Sequence, residues 1–155
     1  MSWSSSQQQR LGYEKGILTK YFGSKVSWIN PTRRGDTRVE VRVTCTNDKK
    51  YTLRVYLPSD YPNACPSMVV IPPSSKWFSY HYLRTKKGDK MNGGSLSYHT
   101  LEGIDGFTCI CHFNKSLWTD NNTIYQVVMK GMIWLEAYEA HRRTGKSMEA
   151  FLQEM

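Results

Sequence analysis

Apolar and polar residues alternate most cleanly between residues 37 and 57. Val39, Val41, Val43 and Cys45 share one parity, and Arg38, Glu40, Arg42 and Thr44 take the other. That period of two belongs to a strand with one buried face. After the turn pair Asn47-Asp48, Tyr51, Leu53, Val55 and Leu57 alternate against Thr52, Arg54 and Tyr56. The two runs, 37–46 and 51–57, predict an antiparallel hairpin. Shorter strands are predicted at 26–29, stopped by Asn30-Pro31, and at 68–71, stopped by Pro72-Pro73. Pro58, Pro62 and Pro66 punctuate the connection between them, because proline has no N–H to give to a ladder.

The period changes to 3.6 at both ends of the chain. Residues 5–22 carry Leu11, Leu18 and Phe22 at helical intervals, flanked by Tyr13, Ile17 and Tyr21. Ser5 or Ser6 is the expected N-cap and Gly23 the expected stop. Gly12 and Gly16 each weaken this helix by about 1 kcal/mol. From Asn122 to about Arg143, the stripe Ile124, Val127, Val128, Met132, Leu135 and Tyr138 predicts a long helix with Trp134 beside it. Asn121 or Asn122 is the expected cap and Gly145 the stop. A short terminal helix is predicted from Ser147, carrying Met148, Phe151 and Leu152. No repeat or linker divides residues 1–155, which read as one domain.

Residues 74–98 show little periodicity. They combine Trp77, Phe78, Tyr80, His81 and Tyr82 with Lys76, Arg84, Lys86, Lys87 and Lys90 against one acid, Asp89. A loop this long in a compact domain is unusual and often functional. One reading is a basic, aromatic docking surface. The plainer reading is a solvated excursion that packs its own aromatics, and it is favoured because no single-strand-binding motif accompanies the charge. The net charge of +8 suits acidic partners without choosing among them.

A chain of 155 residues buries roughly 68–70% of its unfolded surface, so it needs neither disulfide nor metal to hold a core. No apolar run approaches the ~18 residues of a membrane span. The first ten residues lack the apolar stretch of a signal peptide, and the expected location is the cytoplasm. Four cysteines are too sparse for a disulfide framework, and free thiols are expected.

Cys45 falls on the core side of its strand and reads as a small buried hydrophobe. Cys109, Cys111, His112 and His99 offer chemistry. As zinc ligands they fit poorly, because structural sites use pairs spaced C-x₂₋₄-C with a second, separate pair. Cys-Ile-Cys falls outside that spacing, and neither a metal nor a cofactor is expected. As a nucleophile, a thiol at its ordinary pKa of ~8.5 is only a few per cent thiolate at pH 7. Attack on an activated thioester tolerates that fraction, whereas amide hydrolysis demands a stronger base and an orienting partner. No cysteine-protease signature is present. Acyl exchange between thiols is the better fit, with Gly103 and Gly106 leaving room for a bulky chain.

An ordered set of motifs over roughly residues 38–145 resembles the ubiquitin-conjugating enzyme family. "YTLRVYLPSDYPNACPSMVV" is similar to that family's third strand, Tyr-Pro turn and fourth strand, through Leu53, Pro58, Tyr61-Pro62, Pro66 and Met68-Val69-Val70. His99 stands where the family's His-Pro-Asn motif begins, and Cys109 follows at the family's distance of ten residues. Asp105-Gly106 precedes Cys109 as in the family's Asn/Asp-Gly-x-x-Cys segment, and Trp118 with Thr123-Ile124 matches its Trp and the head of the next helix. The resemblance implies an α+β fold: N-terminal helix, four-stranded antiparallel meander, active-site loop, long C-terminal helix and short terminal helix. It implies Cys109 as the acyl-accepting thiol, with Cys111 a neighbour. His99 would brace the site through a backbone hydrogen bond or act as base, the family's use favouring the brace, and Trp118 would be a packing residue. "WLEAYEAHRRTGK" further resembles the family's bacterial branch, found in anti-phage islands beside a cyclic-oligonucleotide synthase (CBASS).

The function implied is thioester formation with the C-terminus of a partner protein, the synthase being one such partner, followed by transfer to an amine on a protein target. The acyl group would come from an activating enzyme or an already activated donor. Two departures stand out. Leu101 replaces the motif Asn, whose loss typically costs about 3 kcal/mol of transition-state stabilisation. The stretch between the Tyr-Pro turn and His99 is also longer, which is expected to bring the basic loop next to the reaction centre to hold donor or target. The rival readings are a non-catalytic protein-binding module of this fold and a basic nucleic-acid-binding domain.

Overall fold

The computed structural model describes residues 1–73 and 81–152. Lys76, Trp77, Phe78 and Tyr80 of the basic loop lie outside the described residues. The architecture is α+β: an N-terminal helix α1 (Ser5–Phe22), six strands β1 (Val26–Ile29), β2 (Arg38–Thr44), β3 (Lys50–Tyr56), β4 (Ser67–Ile71), β5 (Thr100–Ile104) and β6 (Phe107–Ile110), and a C-terminal helix α2 (Ile124–Thr144). All paired strands are antiparallel, in the order β1-β2-β3-β4-β6-β5. A short 3-10 helix, Met148–Phe151, follows α2.

The predicted hairpin forms in register, with Val39 opposite Val55, Val41 opposite Leu53 and Val43 opposite Tyr51. Its apolar parity, Cys45 and Leu57 included, is buried. This face packs against α2, whose Ile124, Val127, Val128, Trp134, Leu135 and Tyr138 join the same core. Gly131 permits the approach: a Cβ there would lie 2.7 Å from Met68 Cε and 2.8 Å from Leu53 Cδ1. Trp134, placed by periodicity only beside the stripe, is fully buried.

The helix caps differ from expectation by one residue or so. Ser4 caps α1 and Thr123 caps α2, each in a capping box closed by a glutamine, Gln7 and Gln126. Gly23 and Gly145 follow the helix ends as expected. The buried face of α1 holds Leu18 and also Glu14, while Tyr13 and Tyr21 are exposed. Glu14 accepts hydrogen bonds from Tyr61 Oη at 3.0 Å and from the Ile124 backbone N–H at 2.8 Å, and pairs with Arg10 at 2.9 Å. A carboxylate aimed at the first N–H groups of α2 answers the positive end of that helix.

The expected four strands become six because the segment taken as an active-site loop is itself a hairpin. Asp105 and Gly106 both have positive φ, 53° and 82°, between Ile104 and Phe107 paired opposite each other. This is the two-residue Asp-Gly connection that matches strand twist. The two glycines expected to leave room do the opposite. A Cβ on Gly103 would meet Phe107 O at 2.9 Å, and one on Gly106 would meet His81 Cβ at 3.3 Å.

Candidate active site

β6 extends the sheet from β4 and carries Cys109 between β4 and the edge strand β5. Val69 of β4 and Leu101 of β5 stand opposite Cys109 on either side. Cys109 is 2% exposed, and burial pushes its thiol up from 9.0 to about 11. A covered sulfur is out of reach of a protein-sized acyl donor unless the strand opens. The motif resemblance implied Cys109 as the open acyl-accepting thiol, and in this structure that residue is covered. Its sulfur belongs to the sheet, because the segment before it is a hairpin strand.

Cys111 lies two residues on, beyond the last pairing of β4 with β6, Met68 opposite Ile110. It is half-buried and lines a groove of about 800 Å³ with Gly94, Ser95, Leu96, His99, Leu101 and Asn114, among others. His99 is placed by a tight hairpin in which Ser95 and Thr100 exchange backbone hydrogen bonds of 3.0 and 3.1 Å. The indole N–H of Trp134 donates to the Tyr98 carbonyl at 2.9 Å and ties this hairpin to α2. His99 sits in the left-handed region, φ 52°, and its carbonyl accepts the Cys111 N–H at 2.8 Å. The imidazole faces the groove and makes no hydrogen bond among the described residues. Backbone bracing and a free ring in the same groove thus occur together in this one residue.

Part of the groove lining is apolar. Leu96 is 93% exposed, Leu101 is 39% exposed, and Phe113 joins them. His112, which also lines the groove, is buried; its Nδ1 donates to the Ile110 carbonyl at 3.2 Å, its Nε2 lies 3.8 Å from Cys65 Sγ, and that thiol donates to the Pro66 carbonyl at 3.5 Å. Burial lowers the His112 pKa, and burial raises that of Cys65. No group of three His, Cys, Asp or Glu side chains suited to a metal occurs among the described residues. Trp118 packs edge-on against Phe113 and donates its indole N–H to the Pro62 carbonyl at 2.9 Å.

Gly94, Ser95 and Leu96 at the end of the loop line the groove, whereas Arg84, Lys86, Lys87 and Lys90 are not among its lining residues. Arg84 pairs with Lys90 in a small bridge, and both cations lie over the Tyr82 ring, at 5.4 and 5.7 Å. The loop is pinned to α2: Tyr138 Oη donates to Arg84 O, and the Lys86 N–H donates to His141 Nε2.

Asn114 escaped the reading of the sequence. Its visible signal was an Asn two residues before a Ser, the pattern of a side-chain turn. Comparison of the chain with family models, curated proteins and solved structures finds no match.

Proposed function

We propose that the protein is a ubiquitin-conjugating-like acyl transferase whose carrier thiol is Cys111. The observation that carries this reading is the Cys111 thiol in an open, partly apolar groove shared with the unpaired imidazole of His99. His99 takes the thiol proton, and the sulfur attacks the carbonyl carbon of a donor thioester. A C–S bond to Cys111 forms, the donor C–S bond breaks, and the departing thiolate takes up the proton. In the second half the amine of a target attacks the Cys111 thioester. The C–N bond forms, the C–S bond breaks, the amine loses a proton and the Cys111 thiol is restored. The apolar flank of Leu96, Leu101 and Phe113 suits an extended C-terminal tail threaded along the groove.

The motif resemblance supports the same chemistry and nominates a cyclic-oligonucleotide synthase as the protein whose C-terminus is carried, in anti-phage defence. It assigned the role to Cys109; Cys111 is proposed in its place because Cys109 is buried and Cys111 lines the groove. The test uses a peptide α-thioester as donor. Intact mass after incubation should show one acyl group lost on adding reductant, retained in Cys109→Ala and absent in Cys111→Ala. An adduct confined to Cys109 would overturn the assignment, and no adduct on any cysteine would favour a non-catalytic binding module.

A further inference from the structure

The fold gathers two basic segments that lie far apart in the chain. Residues 82–90 and 141–147 hold seven of the chain's 21 lysines and arginines and a single acid, Asp89. The Lys86 N–H donates to His141 Nε2 at 3.0 Å, and the Lys86 ammonium donates to the Arg143 carbonyl at 3.3 Å. The Arg142 guanidinium donates to the Thr85 carbonyl at 3.1 Å. Lys146 belongs to the same end, because its carbonyl accepts from His141 Nδ1 at 2.7 Å. Arg84 and Lys90 join through their bridge and the Tyr82 ring they share. Bonds to carbonyl oxygens position these side chains without cancelling their charge. Lys86, Lys87, Lys90, Arg142, Arg143 and Lys146 are exposed and form no ion pair among the described residues. The C-terminus of α2 supplies roughly −0.5 of a charge, far short of balancing them.

The character of the patch selects its partner. A protein interface takes its energy from apolar and aromatic anchors at its centre. Neither segment carries a large exposed apolar side chain, and its one tyrosine, Tyr82, is half-buried with Arg84 and Lys90 over the ring. The same covering leaves no platform on which an unpaired base would stack. What is left is clustered positive charge, which suits the regular phosphates of a double helix. We infer that this end of the molecule binds a nucleic-acid duplex through its phosphates, without reading its sequence. None of these cations lines the Cys111 groove, and the inference does not rest on the function proposed above.

The experiment measures fluorescence anisotropy of short labelled DNA duplexes of two unrelated sequences. Equal affinity for the two is expected, with binding about 10³-fold weaker at about 200 mM than at about 50 mM salt, as roughly six phosphate contacts require. Lys87→Gln, Arg143→Gln and Lys146→Gln together discharge side chains that make no hydrogen bond among the described residues, so the fold is kept. Their loss should make the slope of log K against log salt shallower by about 2.7. Lys25→Gln, Lys49→Gln and Lys50→Gln lower the net charge equally on other elements and should leave affinity within about threefold of wild type. Unlabelled duplex should displace the probe, and polyglutamate should not. No binding at low salt, equal losses in the two triple variants, or displacement by polyglutamate as effective as by duplex would each overturn the inference. The last result would assign the patch to an acidic protein.

Discussion

Two residues separate a buried thiol, Cys109 within β6, from a half-buried one, Cys111 just beyond the strand's end. Successive side chains of the same parity share a face, so the alternation of the sequence places Cys109 and Cys111 together and cannot rank them. What ranks them is how far β4 reaches: it pairs as far as Ile110 and no further. That boundary is tertiary and left no mark in the local sequence, which is why motif spacing pointed to Cys109. Iodoacetamide at pH 7.5 followed by peptide mapping should modify Cys111 first and leave Cys45 and Cys109 unmodified until the protein unfolds. Early labelling of Cys109 would contradict its burial.

The buried thiols also make stability depend on alkaline pH. Burial is the leading cause that raises both Cys45 and Cys109 from 9.0 to about 11. Above pH 9 the unfolded chain gives up these protons while the folded chain keeps them, so the folded state binds more protons there. The stabilisation is fully present below pH 9 and is lost as the pH rises toward 11. Urea unfolding between pH 8 and 11 should show this decline, and the double variant Cys45→Ala, Cys109→Ala should show a shallower one.

Among the elements, the central hairpin and both helices were legible because their apolar periods run long enough to average out exceptions. β5 and β6 were hidden because they are short and their shared turn, Asp105-Gly106, resembled a family motif more loudly than it signalled a hairpin. Glu14 was hidden for another reason: a carboxylate at a core position makes sense only beside its partners, which lie 47 and 110 residues away. Glu14→Ala should cost about 3 kcal/mol in denaturant unfolding, by leaving Arg10 Nε, the Tyr61 hydroxyl and the Ile124 N–H without their acceptor. Thr123→Ala, which removes only the cap of α2, should cost about 1 kcal/mol. Equal effects would mean that Glu14 is not the joint between the two helices.

For the molecule as a whole, the fold brings residues from 94–101, 111–115 and the terminal 3-10 helix to one groove, while the α2 core and the Glu14 joint hold the sheet behind it. For the proposed transfer, a net charge of +8 favours an acidic donor. Acylation by an acidic peptide thioester should therefore slow as salt rises from about 50 to 300 mM. Reversing Lys86, Lys87 and Lys90 together should slow it further at low salt. An unchanged rate would show that the loop does not hold the donor, in keeping with its anchorage to α2. The most direct measurement of the central claim is the mass of the adduct in single-cysteine proteins, each retaining only Cys45, Cys65, Cys109 or Cys111, after exposure to a peptide thioester. The account predicts a reductant-labile acyl group on the protein retaining Cys111 and on no other. An adduct on the Cys109-only protein, with none on the Cys111-only protein, would contradict it.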